Sequence, residues 1–284
     1  MPRIGARIKD EIMFVLSRNK LPETPDSLAE ALEEGLREFA SRPEPMAVVR
    51  GADLDRLDEI MVDLSGAVID PRHRPVLPKL SRTEPAISVR KLSVLGRPVK
   101  ILDSELTFDF DASNIQLNQA KTSDGKISLV LHQADTGEMR ATIGRGELER
   151  LIAKVAAITA DKQGVTIDNL KVDLTSHTTR TLEAKVTVSA RKLFFRTSLR
   201  LSGTLAVTDD LMATVSDLRC DGDGTIGALV CAAMTPHFKR VEKRAFPLSA
   251  LPIGEVRLHD VAITVDDKQI VVEARFGSQT AGPS

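Results

Sequence analysis

Tryptophan and tyrosine are missing from the sequence altogether, and nine phenylalanines are its whole aromatic complement across 284 residues. Stacking platforms are therefore scarce, which argues against recognition of bases. Charge of one sign is lacking too: 39 basic and 40 acidic residues leave a formal net charge of −1, without the electrostatic footprint that a phosphate backbone requires. No nucleic-acid partner is expected. Two cysteines, Cys220 and Cys231, are too few for a disulfide framework or a self-sufficient zinc site, and their spacing matches neither a redox pair nor a metal knuckle. A bridge between them is one outcome, and two buried thiols is the expected one. No stretch approaches a transmembrane span, and "MPRIGARIKDEIMFVLSRNK" has no uninterrupted apolar core of the kind that export signals carry. The expected compartment is the cytoplasm, with any membrane contact peripheral and at the inner face.

Catalytic and metal signatures are equally thin. His73, His132, His177, His237 and His259 are far apart in sequence and form no ligand pair, and neither a nucleophile elbow nor a catalytic-cysteine signature occurs. An enzyme is not expected, nor a cofactor, nor a metal site. One motif does look like chemistry: "LRCDGDGTIGALVC" holds a G-x-G-x-x-G at Gly222, Gly224 and Gly227. A dinucleotide fold needs a buried parallel strand before those glycines, whereas "LMATVSDLRC" is interrupted by Thr214, Ser216, Asp217 and Arg219. Asp221 and Asp223 would also meet the pyrophosphate with like charge. A tight strand-to-helix turn, capped by Asp223 or Thr225, accounts for the glycines better.

What the sequence does contain is amphipathic pattern. Residues 1–85 read as a helical N-terminal extension ending in a Pro-rich linker. "DSLAEALEEGLREFA" aligns Leu28, Leu32, Leu36 and Phe39 after a cap at Asp26 or Ser27, and "ADLDRLDEIMVDL" repeats the theme with Leu54, Leu57, Ile60, Met61 and Leu64. Within the first twenty residues, Ile4, Ile8, Ile12 and Val15 fall at helical spacing among basic side chains. These four are candidate membrane contacts, although docking on the protein's own core explains the stripe as well. From Ala86 the period changes to two. "LEAKVTVSA" places Leu182, Ala184, Val186, Val188 and Ala190 on one face, and "FRTSLRLSGTLAV" does the same with Phe195, Leu199, Leu201, Leu205 and Val207, while charged and hydroxyl side chains take the other. One-sided alternation marks an antiparallel sheet with one wet face.

Two helices interrupt the strands. "GELERLIAKVAAITAD" aligns Leu148, Leu151, Ile152, Val155 and Ile158, and the second, after Thr225, aligns Ile226, Leu229, Val230, Ala233, Met234 and Phe238, with a kink or break expected at Pro236. Strands, helix, four strands, helix, two strands is an α+β order. "ISVRKLSV", "VTIDNLKV" and "VRLHDVAI" share apolar positions at i, i+2, i+5 and i+7, so each is expected to carry a β-bulge.

The segment from Arg145 to Gly277 resembles the bacterial LmeA-like family of the TULIP (tubular lipid-binding) superfamily. The resemblance rests on "GELERLI", "VTIDNLKVDL", two alternating strands, the second helix, and "LPIGEVRLHDVAITVDDKQIVVEARFG", in which Leu251, Pro252 and Gly254 lead into a bulged strand. It implies a long, highly curved antiparallel sheet wrapped against two amphipathic helices over residues 86–277, followed by a disordered tail at 278–284. It also implies an apolar inner face that holds acyl chains. The residues expected to line that groove are Leu148, Leu151, Ile152, Val155, Leu182, Val186, Val188, Phe195, Leu199, Leu201, Leu229, Val230 and Phe238. Two functions follow: non-enzymatic binding or carriage of a lipid or other apolar small molecule, or a closed-core interaction module recruited to a partner or membrane face by its N-terminal helices. Aliphatic side chains line an open groove and a filled core equally well.

Overall fold

The computed structural model describes residues 13–70, 83–122, 124–161, 164–192, 195–248 and 256–278. It is an α+β arrangement of two sheets. The first holds short strands β1 (Met13–Val15), β2 (Ala40–Ser41), β3 (Ala47–Gly51), β4 (Leu57–Asp63) and β5 (Val68–Ile69), then three 18-residue strands, β6 (Glu84–Ile101), β7 (Ser104–Lys121) and β8 (Ile127–Gly144). The second is built from β9 (Thr166–Thr178), β10 (Thr181–Lys192), β11 (Phe195–Val207), β12 (Met212–Gly222) and β13 (Ala245–Pro247). The chain then returns to the first sheet with β14 (Arg257–Val265) and β15 (Gln269–Gly277), completing ten strands whose main path is β14-β15-β8-β7-β6-β4-β3. Helix α1 (Pro25–Arg37) precedes β2, α2 (Arg145–Asp161) follows β8, and α3 (Gly224–Glu242) follows β12.

The N-terminal reading needs correction. Of the helical extension expected over residues 1–85, only α1 is an α-helix among the described residues. Its cap is Thr24, in a reciprocal pair with Ser27 and with Pro25 opening the helix, not Asp26 or Ser27 itself. "ADLDRLDEIMVDL" forms one turn of 3-10 helix at Leu54–Arg56 and then strand β4, which pairs in parallel with β6 and buries Leu57, Ile60 and Val62. Its helical spacing was real, but long-range pairing with an 18-residue neighbour overrides local pattern. Val15 likewise lies in β1, antiparallel to β8, and not on an amphipathic helix. Ile4, Ile8 and Ile12 lie outside the described residues, as do the linker prolines Pro71, Pro75 and Pro78 and all of the tail beyond Ser278.

One hydrophobic core joins these pieces. Leu28, Ala31, Leu32 and Leu36 of α1 pack with Leu57, Ile60 and Val62, with Ile87, Val89 and Leu92 of β6, and with Ile115, Leu117, Leu129 and Leu131 of the long hairpin. Val207, Leu211 and Ala213, at the β11–β12 turn of the second sheet, enter the same core beside Val256 and Leu258. Polar ties hold the two sheets in register there. The Ile263 N–H donates to the Thr179 carbonyl at 2.6 Å, and Arg180 reaches Asp260 at 2.7 Å. Arg145 donates to the carbonyls of Asp266 and Leu174 at 2.7 and 2.6 Å.

Two of the three expected bulges are present. The pairing of β9 with β10 slips between Ser189 and Ala190, opposite Asp168, and that of β14 with β15 slips between Leu258 and Asp260, at His259. In β6 the register runs unbroken from Ile87 to Gly96. Arg90 and Asn114, the latter at φ +49°, form no pair within that run, and Val89 and Leu92 on either side of the gap both enter the core. Helix α3 continues through Pro236 without a break, and the proline's missing N–H deprives the carbonyl of exposed Ala232 of its helical partner.

Gly137 on β8 illustrates how closely the far end of the large sheet is packed. A Cβ there would lie 2.1 Å from the Phe276 ring, which itself stacks on Phe110 with centroids 5.3 Å apart. Gly137→Val is expected to lower stability in urea denaturation by about 1–3 kcal/mol. Gly146→Ala on α2, where nothing lies within 4 Å, should leave it unchanged or raise it by up to about 1 kcal/mol.

Candidate functional site

The second sheet is divided by face, as its alternation requires. Register pairs Val186 with both Leu201 and Val172, Val188 with Leu199 and Leu170, and Leu182 with Leu205, so these side chains share one side of three strands. The opposite side carries exposed Lys171, Lys185 and Arg200, with Lys185 bridged to Glu183 at 3.0 Å and Arg200 to Asp221 at 2.9 Å. The apolar side is not sealed. Leu182, Val186, Val188, Leu199 and Leu201 are all half-buried, in contrast to Val207, Leu211 and Ala213 at the core end of the same sheet. An aliphatic strip thus runs outward from the closed core, half-covered along its middle, with Leu170 beside Val188 and Ala190 beyond it buried again.

Helix α3 flanks this strip on one side. Cys220 pairs with Leu201 and shares its face, and Cys220 is joined to Cys231 of α3 in a disulfide with Cα atoms 5.3 Å apart. The expected pair of free thiols is therefore corrected to a bridge. The glycine motif serves the same attachment. A Cβ on Gly222 would lie 2.4 Å from the backbone of Gly227, so only glycines let the helix lie this close to β12. Gly224, with φ +69°, makes the turn between them. Asp223 is the N-cap residue but its carboxylate makes no capping bond; it accepts from Arg200 at 2.8 Å. Asp221 foremost, then Asp223, raises the Arg200 guanidinium above its ordinary pKa through hydrogen bonding. β12 is antiparallel to both β11 and β13, so no parallel βαβ dinucleotide unit exists here.

Helix α2 lies along β9. Glu149 accepts the Val172 N–H at 2.9 Å, and a cavity of about 520 Å³ separates Ala153 and Ala157 from Ile167 and Leu170. Its lining includes Leu102, in the left-handed two-residue turn Leu102–Asp103 between β6 and β7, where Lys154 pairs with Asp103, and the polar side chains Glu149, Arg150, Asp168 and Asn169. Its volume falls within the roughly 300–1,000 Å³ range of small-molecule sites.

The expected lining residues are therefore only partly brought together. Leu182, Val186, Val188, Leu199 and Leu201 share the strip, and Phe238 is half-buried on the side of α3 that carries Gly227 and Cys231. Leu229 lies on the opposite side of α3 and Val230 at the edge between the two sides, and both are exposed. Leu148, Leu151 and Ile152 are half-buried and Val155 exposed, along a stripe of α2 opposite Ala153 and Ala157. Phe195 begins β11, and its side chain lies outside the described part. Ile167, Leu170, Val172, Ala153, Ala157 and Leu102 join the strip or its cavity without having been singled out as lining. The apolar repeat "VTIDNLKV" was the available signal for three of them.

A second cavity, of about 320 Å³, lies on the large sheet among Arg97, Asp109, Asp111, Glu138, Arg140, Glu273 and Arg275. Its charges largely compensate across strands, Arg97 with Asp109 at 2.6 Å and Arg140 with Glu273 at 2.8 Å. Among the described residues, no group of three or more His, Cys, Asp and Glu side chains converges on a metal position. No helix there is long and apolar enough to cross a membrane. No family model, curated protein or solved structure matches the chain.

Two outcomes follow. Val186→Asp or Leu201→Asp should lower stability by about 1–3 kcal/mol, while Lys185→Asp on the wet face should stay within about 0.5 kcal/mol, measured by thermal unfolding. Equal effects on the two faces would contradict the assigned register. NAD should give no thermal protection, and Gly227→Val should displace α3 without altering any response to nucleotide.

Proposed function

We propose that the protein binds or carries a lipid or other apolar molecule in the trough formed by the uncovered face of β10 and β11 and its flanking helices. The observation that carries this reading is the half-buried aliphatic strip Leu182, Val186, Val188, Leu199 and Leu201, which extends from the sealed core without being fully covered itself. Each methylene placed there contributes about 0.8 kcal/mol without any polar apparatus. The resemblance of Arg145–Gly277 to the LmeA-like TULIP family supports the same reading, since in that family such a face holds acyl chains. The closed-core module recruited by N-terminal helices has less support, because the described residues up to Ile69 contribute five strands and one α-helix and pack into the main core.

The Cys220–Cys231 bridge weighs against the expected cytoplasmic setting, since disulfides persist in oxidising compartments. A peripheral contact with a membrane is compatible with either side. Native mass spectrometry of the full chain, purified from expressing cells without detergent, tests the binding function. The expected result is a set of adducts with acyl-chain masses, released by organic extraction and restored by added fatty acid or phospholipid. A bare polypeptide that takes up neither would overturn the proposal.

A further inference from the structure

We propose that the outer face of α3, together with the basic segment that follows it, docks the protein on an anionic lipid bilayer. The residues involved are exposed as they stand and are not needed to cover the strip, so this inference stands whether or not the trough holds a ligand. Helix α3 meets the sheet through buried Gly227 and Cys231, with half-buried Met234 and Phe238 on the same side. Leu229 lies opposite that side with 65% of its surface exposed, and Ile226 and Val230, 39% and 36% exposed, lie on the flank between, followed by exposed Ala233. Large aliphatic side chains grouped in this way on water mark a contact surface.

Beyond Pro236 the outer surface changes character. Lys239, Arg240, Lys243 and Arg244 are all exposed and make no ion pair among the described residues, and Val241 and Phe246 are exposed among them. The single acid of this stretch, Glu242, is turned inward to accept the Leu218 N–H at 2.8 Å. Four unpaired cations thus gather on a chain whose overall charge is −1. An apolar helix face bordered by free cations is what an interfacial helix requires: the aliphatic side chains enter the boundary between headgroups and acyl chains, and the cations meet lipid phosphates. A neutral bilayer would leave the cations without partners. An acidic protein surface would leave Ile226 and Leu229 in water.

The test is flotation of the full chain with vesicles of phosphatidylcholine alone or mixed with phosphatidylglycerol, alongside thermal unfolding and sedimentation. Binding is expected to the anionic vesicles, to weaken with added salt, and to fall about tenfold or more in the double variant Arg240→Glu with Lys243→Glu. Leu229→Asp should lose vesicle binding with an unchanged melting temperature, because that side chain faces outward, and Lys171→Glu on the wet face of β9 should bind as the parent does. Equal binding to both vesicle types, or full binding by both α3 variants, would overturn the proposal. So would a dimer that Leu229→Asp dissociates in a protein that never floats, which would assign the same face to a second copy of the chain.

Discussion

A sheet that is apolar on one face must hide that face, and the five strands from Thr166 to Pro247 have two helices with which to do so. Neither helix is wide enough or deeply enough packed. Helix α2 buries no residue fully, and α3 buries only Gly227 and Cys231. The glycine contact and the disulfide draw α3 tightly onto β12, at the flank of the strip. The aliphatic face over β10 and β11 is left half-covered as a direct result.

Much of the second sheet was legible in the sequence because its information is local. A period of two fixes which side chains share a face, and the observed pairings of Val186 with Leu201 and Val188 with Leu199 follow from it. Bulges opposite Asp168 and at His259 were legible for the same reason, since one inserted residue breaks the alternation visibly. The order of elements after Ile87 also matched, apart from short β13.

What was not legible depends on partners far away in the chain. Leu54, Leu57, Ile60, Met61 and Leu64 satisfy a helical period, yet Leu57–Asp63 becomes a strand because β6 offers a parallel edge to it. The stretch around Val15 is extended for a similar reason, its partner being Ser128 on β8. The tight turn at the glycines was legible, but the bridge between Cys220 and Cys231 was not, because a separation of 11 residues does not say how closely the helix folds back on the strand. For the candidate site, the strand positions share one face as the alternation requires, whereas the helix positions are spread around their helices. The apolar stripe of α3 carries both Phe238, which faces the sheet, and Leu229, which faces water, and helical periodicity alone does not say which side the sheet occupies.

Because the chain has neither tryptophan nor tyrosine, a single introduced tryptophan reports on one place without background. The central claim is that the face of β10 bearing Val188 is open to acyl chains, and the direct measurement is quenching of Val188→Trp fluorescence by a dibrominated fatty acid. The account predicts saturable quenching at Val188→Trp and none at Lys185→Trp, three positions away on the wet face of the same strand. Equal quenching at the two positions, or none at either with the fold intact, would contradict it.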